Sequence, residues 1–181
     1  MSLIINIFLA TLIAIGNLNS IKSDVISKDD NDLGLYYNKK GKFKIWMPCE
    51  KPEVEKNKIK SDLGVIKLYT FKCLHENSVF MVGYSDYPEE YMKYSKDEDL
   101  LEGAKNGFIK ELKLEVTSEE WINVSSYKGK VFKARSQEYT ASVKHLIVKN
   151  RLYQFVIMTK DKEINQIDEN KFFSSLILYD K

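Results

Sequence analysis

The chain has few of the residues from which the commonest catalytic and metal sites are built. Its 181 residues include two histidines, two cysteines, three prolines and eight glycines. The glycines are scattered singly, which excludes a phosphate-cradling loop. Neither His75 nor His145 lies in an acid–base motif, and His75 with the cysteines matches no zinc signature. We therefore expect no catalytic or metal-binding residue and no cofactor.

The charge of the chain excludes another class of function. There are 28 lysines plus arginines against 26 aspartates plus glutamates, and the two signs are interspersed along the sequence. A basic stripe, the electrostatic signature of nucleic-acid-binding proteins, is not evident. Arg135 and Arg151 are the two arginines, too few for bidentate reading of bases or clamping of phosphates. We expect no nucleic-acid partner.

An apolar segment opens the chain. Residues 3–15 are apolar apart from Asn6 and Thr11, and small and polar residues follow. The segment is long enough for the hydrophobic region of a secretory signal, but a transmembrane helix needs roughly 20 such residues. No lysine or arginine precedes it, so its orientation signal is weak and an uncleaved membrane anchor is the alternative. A buried helix of the domain fits poorly, because a polar stretch follows directly.

These features predict three regions and a location. Residues 1–23 form a signal peptide or N-terminal anchor, residues 24–40 a polar linker, and residues 41–181 one globular domain. The domain is then extracytoplasmic, in a periplasm, in a thylakoid lumen or secreted. Membrane contact is expected only through the N-terminal segment, and only if that segment is not cleaved.

The rest of the chain alternates between strand and helix patterns. Period-two apolar alternation predicts strands at 43–47, 65–74, 79–84, 121–124, 130–134, 142–148 and 152–158. Residues 50–62 are charged and predicted to be irregular, and residues 127–129 are predicted to form a turn. Ser95 and Glu98 have the spacing of a capping box before a helix that ends near residue 113, and a short helix is predicted at 165–175. Residues 176–179 form a last strand or extended piece.

Hairpin connections between these strands define the fold class. Short turns join neighbouring strands, and the helices interrupt the series instead of linking parallel strands. We therefore predict an α+β fold, in which helices pack on an antiparallel sheet of about six to seven strands. The hairpin at 144–159, which turns at Asn150, has the clearest local signal.

Four short motifs in this order resemble a known family. They are Phe-x-Ile-x-Met-Pro at 43–48, Tyr-Ser-Asp-Tyr-Pro at 84–88, Asn-Arg-Leu-Tyr-Gln-Phe at 150–155 and Phe-Phe-Ser-Ser-Leu at 172–176. The pattern over about residues 40–181 resembles the Mog1/PsbP-like α/β/α sandwich, found in PsbP-related and many exported bacterial proteins. The resemblance implies a protein that binds partners and does not catalyse a reaction. It transfers no functional residue to this chain.

The two cysteines offer one crosslink. An oxidising compartment permits a disulfide between Cys49 and Cys73, which would join the end of the first predicted strand to the second. A simple tight hairpin would not place the two residues opposite each other, so two unpaired thiols are the alternative.

A group of tyrosines is the one candidate interaction surface. Tyr84, Tyr87, Tyr91 and Tyr94 surround Asp86 and an acidic pair. Tyrosine has an apolar ring and a polar tip, which suits protein and ligand interfaces. The alternative is that this connection simply packs against the sheet.

The sequence is consistent with three functions. The first is an exported, non-enzymatic binding or accessory protein whose partner is a protein, for example in a membrane-associated complex. The second is a carrier of a small apolar ligand, which requires a deep apolar pocket. The third is a hydrolase, which requires His145 or His75 in a cleft beside a carboxylate and a hydroxyl.

Overall fold

Alternating apolar side chains build most of the molecule as antiparallel strands. The computed structural model describes residues 34–61 and 64–179, so the predicted export segment at 1–23 lies outside the described residues. The strands are β1 Leu35–Asn38, β2 Phe43–Trp46, β3 Glu53–Ser61, β4 Gly64–His75, β5 Ser78–Asp86, β6 Glu115–Val124, β7 Tyr127–Arg135, β8 Thr140–Val148, β9 Arg151–Thr159 and β10 Ile177–Leu178. The helices are α1 Glu89–Met92, α2 Asp97–Leu112 and α3 Gln166–Ser174.

These strands form two antiparallel sheets. The large sheet has seven strands in the order β3-β4-β5-β9-β8-β7-β6, and the small sheet has the order β1-β2-β10. Hairpins make most of the large sheet, and the segment carrying α1 and α2 separates β5 from β6. The predicted α+β fold with an antiparallel sheet is confirmed.

A separate hydrophobic core covers each side of the large sheet. On one side, here called the α2 face, Leu101, Ala104 and Phe108 of α2 pack on the sheet. On the other, here called the small-sheet face, β2 and α3 contribute fully buried Phe43 and Phe172. Because strand side chains alternate between faces, residues two apart on β5 or β9 enter the same core.

Most of residues 50–62 are not irregular, and for Glu53–Ser61 that prediction is wrong. Residues Glu53–Ser61 form β3, an edge strand that pairs with β4 over its whole length. One face of this edge is exposed, so polar side chains fill positions where a central strand carries apolar ones. The apolar alternation on which the sequence prediction relied is therefore missing.

Two local predictions also need correction. The capping box is wrong, because α2 has Lys96 as its N-cap and Ser95 donates its hydroxyl to the Tyr91 carbonyl at 3.0 Å instead. The predicted turn at 127–129 is wrong as well. Tyr127 already begins β7, and the chain reverses at Ser125, which adopts a left-handed φ of 57°.

The first strand begins before residue 41. Leu35–Asn38 lies within the segment predicted as a linker and pairs with β2 along its whole length. Met47 donates its amide to the Gly34 carbonyl at 2.6 Å, which extends this pairing by one bond. The ordered domain therefore includes residues that sequence composition alone assigns to a tether.

A disulfide joins the two sheets. Cys49, just after β2, is bonded to Cys73 on β4, with the two Cα atoms 5.8 Å apart. The bond crosses the core between the two sheets. The two cysteines therefore belong to different sheets and are not cross-strand partners in a tight hairpin.

Candidate functional site

The structure separates the four tyrosines predicted to form an interaction surface. Tyr84 is buried on the small-sheet face, whereas Tyr87 is buried in the core of the α2 face. Tyr91 is partly buried, with its ring centroid 5.9 Å from that of Tyr87. Tyr94 is 87% exposed. The structure brings Tyr87 and Tyr91 together, and the four side chains do not share one surface.

His145 is not placed for acid–base catalysis. The ring of His145 is fully buried, 6.4 Å from the ring of Phe108 and 5.3 Å from that of Phe132. Burial lowers its pKa to about 3, so the imidazole is neutral at ordinary pH. His75 has its ring 6.4 Å from that of Phe80. Within the described ranges, no group of three or more His, Cys, Asp or Glu side chains could hold a metal ion.

A surface groove of about 670 Å³ lies beyond the C-terminal end of α2. Its lining is Leu112, Lys113, Glu115, Arg135, Ser136, Gln137, Glu138 and Tyr139. Charged and amide side chains dominate this lining, whereas a carrier of apolar molecules needs mostly hydrophobic walls. The groove therefore does not support the carrier hypothesis.

Arg151 makes three hydrogen bonds on the small-sheet face. Its Nε and Nη2 donate to the two carboxylate oxygens of Asp86 at 2.5 and 2.9 Å, and its Nη1 donates to the Lys40 carbonyl at 2.9 Å. Burial opposes the guanidinium charge, but the bonds to Asp86 raise the pKa of Arg151 overall. This arginine fastens the β1–β2 hairpin to the ends of β5 and β9.

A row of tyrosines lies beside this arginine. Tyr69 on β4 and Tyr84 on β5 are stacked, with ring centroids 4.9 Å apart. The Arg151 guanidinium lies 4.5 Å from the Tyr84 ring centroid, a distance typical of a cation–π contact. Burial raises the pKa of Tyr84 to about 12, although the nearby arginine opposes the shift. Tyr153 on β9 donates its hydroxyl to the Gly41 carbonyl at 2.6 Å and holds the hairpin tip down.

Exposed lysines surround this arginine–tyrosine site. We call them the lysine face: Lys39, Lys40 and Lys42 of the β1–β2 hairpin, with Lys56, Lys58, Lys60 and Lys67 of β3 and β4. The strand lysines point to one side of the sheet. Lys56 is opposite Tyr69 and Lys58 is opposite Lys67, and residues two apart on a strand point the same way. The hairpin that carries Lys39, Lys40 and Lys42 lies beside this site, because the Lys40 carbonyl accepts a bond from Arg151 and the Gly41 carbonyl accepts one from Tyr153.

The charge of the lysine face is not neutralised within the described part of the chain. The ion pairs found there involve other lysines, together with Arg151. Asp86 lies next to this surface, but Arg151 occupies both of its oxygens. Lys58 and Lys67 are directly opposite each other, and like charges in that position destabilise a sheet. The face is therefore a positively charged surface that costs the fold some stability.

Sequence reasoning missed this site for a specific reason. The strand β3 reads Glu-Val-Glu-Lys-Asn-Lys-Ile-Lys-Ser, with both signs interspersed. Once it is a strand, Glu53 and Glu55 point to the α2 face and both contact Lys72, while the three lysines point the other way. A period-two reading of the charges in 53–60 would have shown the segregation.

Comparisons with known proteins support the fold. No family model matches the chain, and no curated protein matches it. Among solved structures it is similar to the solution structure of cyanobacterial PsbP (CyanoP) from Synechocystis sp. PCC 6803, with a TM-score of 0.53 and 12% sequence identity. The similarity covers 87% of this chain and 100% of that chain.

At this level of identity, the likeness shows the fold and transfers no function. The chain therefore has a PsbP-like α+β fold, as the sequence resemblance predicted. In residues 34–61 and 64–179, no helix is long and apolar enough to cross a bilayer.

Proposed function

We propose that the protein is an exported accessory protein that binds an acidic surface of a partner protein through its lysine face. The observation that carries the proposal is the group of seven exposed lysines, none in an ion pair within the described residues, around a rigid arginine–tyrosine site. Clustered charges of one sign attract a complementary partner and accelerate association.

A rigid base makes this surface suitable for a specific partner. The hairpin that carries three of the lysines is fixed by Arg151 and by the Tyr153 hydroxyl, and the strand lysines stand on a paired hairpin. Binding therefore costs little backbone ordering, and the entropic penalty is limited to lysine side chains. Tyr69, partly buried between the lysines and Tyr84, adds an aromatic ring to the surface.

A protein partner fits this chemistry better than a nucleic acid. Lysine is a point charge that pairs with scattered carboxylates, whereas base reading and phosphate clamping favour arginine forks. The arginine at this site already donates to Asp86 with two of its nitrogens. Lysines and tyrosines also supply no nucleophile with an oriented base, so the proposed role is binding without catalysis.

The proposed location is outside the cytoplasm, at or near a membrane. The apolar segment at 3–15 supports export, and the Cys49–Cys73 bond is of the kind that persists in oxidising compartments. The partner is then a protein of the same compartment, and a membrane-associated complex is the class we propose.

Site-specific photo-crosslinking tests the proposal in the native host. A photoreactive residue replaces Lys58 on the lysine face in one variant and Ile167, 77% exposed on α3, in the control. We expect position 58 to give a reproducible protein adduct that maps to an acidic peptide in an extracytoplasmic fraction. Equal adducts from position 167, or adducts only to nucleic acid, would refute the lysine face as the docking surface.

A further inference from the structure

The outer side of the small sheet carries a group of exposed apolar side chains. Tyr37 of β1, Lys44 of β2 and Ile177 of β10 are opposite one another and form one row across the three strands. Leu35 lies two residues from Tyr37, and Tyr179 two residues from Ile177, so both point to the same side as this row. We call Leu35, Tyr37, Ile177 and Tyr179 the outer patch.

The side chains of the outer patch are open to solvent, with exposed fractions from 36% to 57%. The rings of Tyr37 and Tyr179 have their centroids 5.5 Å apart. The Tyr179 amide donates to the Lys42 carbonyl at 2.9 Å, which continues the pairing of the small sheet just beyond β10. The alternate residues Tyr36 and Leu178 point the other way and pack against the core of the small-sheet face. The described part of the chain therefore leaves the outer patch uncovered.

The charge around the outer patch is positive. Lys44 lies in the middle of the patch, and Lys171 of α3 lies 4.4 Å from the ring of Trp46, the residue opposite Leu35. Strands β1, β2 and β10 contain no carboxylate, and neither lysine forms an ion pair with a described residue. An apolar surface with uncompensated lysines fits a partner that is anionic at its surface and apolar beneath. A bilayer that contains anionic lipids has this combination.

A second copy of the chain fits this patch less well. Four half-exposed side chains offer roughly 400 Å², which is typical of the largest apolar patch on a monomer. A stable interface between two chains buries about 800 Å² of each. A symmetric dimer centred on the patch would also bring Lys44 of one copy towards the same lysine of the other.

The chain also enters the small sheet at the outer patch. Strand β1 begins with Leu35, and residues 16–34 separate it from the apolar segment at 3–15. A connection of that length spans at most about 65 Å when it is fully extended. If the apolar segment stays in a bilayer as an uncleaved anchor, the patch is therefore within reach of the same membrane surface.

We propose that the outer patch docks on the interfacial region of an anionic lipid bilayer. Its tyrosine rings and aliphatic side chains enter the headgroup region, where amphipathic aromatic rings are favoured, and Lys44 and Lys171 contact the anionic headgroups. This docking adds a second membrane contact to the one expected from the N-terminal segment. It rests on the proposed location at a membrane, but it uses no residue of the lysine face and does not depend on the proposed protein partner.

Photo-crosslinking of the full chain to lipid vesicles tests the docking surface. A photoreactive residue replaces Tyr37 in one variant and Tyr94, the 87% exposed tyrosine between α1 and α2, in the matched control. The vesicles contain phosphatidylglycerol and phosphatidylcholine, and lipid adducts are detected by intact mass. We expect at least about tenfold more lipid adduct from position 37 than from position 94.

The charge of the patch gives a second readout at the same position. Lys44→Glu, or vesicles of phosphatidylcholine alone, should lower the yield of lipid adduct at position 37 by about tenfold, because the attraction to anionic headgroups is lost. Lys110→Glu, at an exposed position of α2, is the matched control and should leave the yield unchanged.

Three results would overturn the docking surface. Equal lipid adducts from positions 37 and 94 would mean that the N-terminal segment alone holds the chain at the vesicle. Crosslinked dimers through position 37 in place of lipid adducts would assign the patch to a second copy of the chain. Absence of lipid adducts from position 37 would leave the patch without the proposed occupant. The assay contains no other protein, so its failure would not bear on the lysine face.

Discussion

Replacing Arg151 by leucine should loosen the hairpin that carries three of the seven lysines of the lysine face. The side chain donates two bonds to Asp86 and one to the Lys40 carbonyl, and its guanidinium lies over the Tyr84 ring. Asp86 is 47% exposed, so solvent screening reduces the ion pair to about 1 kcal/mol. The carbonyl bond adds about 1 kcal/mol and the ring contact about 0.5 kcal/mol.

Arg151→Leu should therefore lower the free energy of unfolding by about 2.5 kcal/mol. For a domain of this size, the melting temperature should fall by roughly 5–10 °C. The assay is urea unfolding of the full chain followed by circular dichroism. The other arginine is the matched control, because Arg135 is exposed and its replacement by leucine should change stability by less than about 0.5 kcal/mol.

A double-mutant cycle isolates the ion pair. Combining Arg151→Leu with Asp86→Asn should give a coupling energy of about 1 kcal/mol, because each single change removes the same two bonds. The stabilising role of Arg151 would be refuted if Arg151→Leu is no more destabilising than Arg135→Leu, or if the coupling energy is zero.

Three further predictions follow from the fold. Replacing Cys49 and Cys73 by serine should cost roughly 3 kcal/mol, measured by urea unfolding, because the disulfide closes a 24-residue separation. Reduction of the natural chain should add two hydrogens, detected by intact mass. Because burial raises the Tyr84 pKa from 10.0 to about 12, folding stability should fall as pH rises between these values, and Tyr84→Phe should remove that part of the loss. The His145 pKa is lowered from 6.5 to about 3, so its imidazole NMR shifts should stay constant from pH 8 down to about 4, while folding stability declines below pH 6.5. A titration of His145 in the folded chain near pH 6 would contradict its burial.

The central strands could be predicted from the sequence because burial on both faces fills them with apolar residues. The β8–β9 hairpin illustrates this, with apolar strands on either side of a turn at Lys149–Asn150. The edge strands are harder to predict from the sequence. Residues 53–61 and the first half of β6 are mostly exposed, so their composition resembles a loop even though their backbones are paired.

The candidate site depends on which residues of neighbouring strands are paired, and amino-acid composition carries no information about this pairing. The sequence groups Tyr84 with three neighbouring tyrosines, but its partners are Tyr69 and Arg151, from other strands. A shift of one residue would move Tyr84 to the α2 face and dissolve the site. The lysine face likewise exists because β3 turns its carboxylates to one side and its lysines to the other. These arrangements follow from pairing between distant segments.

The affinity of the photo-crosslinked partner for two charge-reversal variants tests most directly whether the lysine face is the docking surface. One variant carries Lys58→Glu and Lys67→Glu, which reverses the lysine face but keeps a like-charged cross-strand pair, so the change in fold stability is small. The control carries Lys110→Glu and Lys162→Glu, two exposed lysines outside the lysine face.

We expect the lysine-face variant to bind at least about tenfold more weakly, a loss of about 1.4 kcal/mol, with the difference shrinking at high salt. The control should bind like the natural chain. Equal affinity of the two variants for the partner would contradict the lysine face as the docking surface.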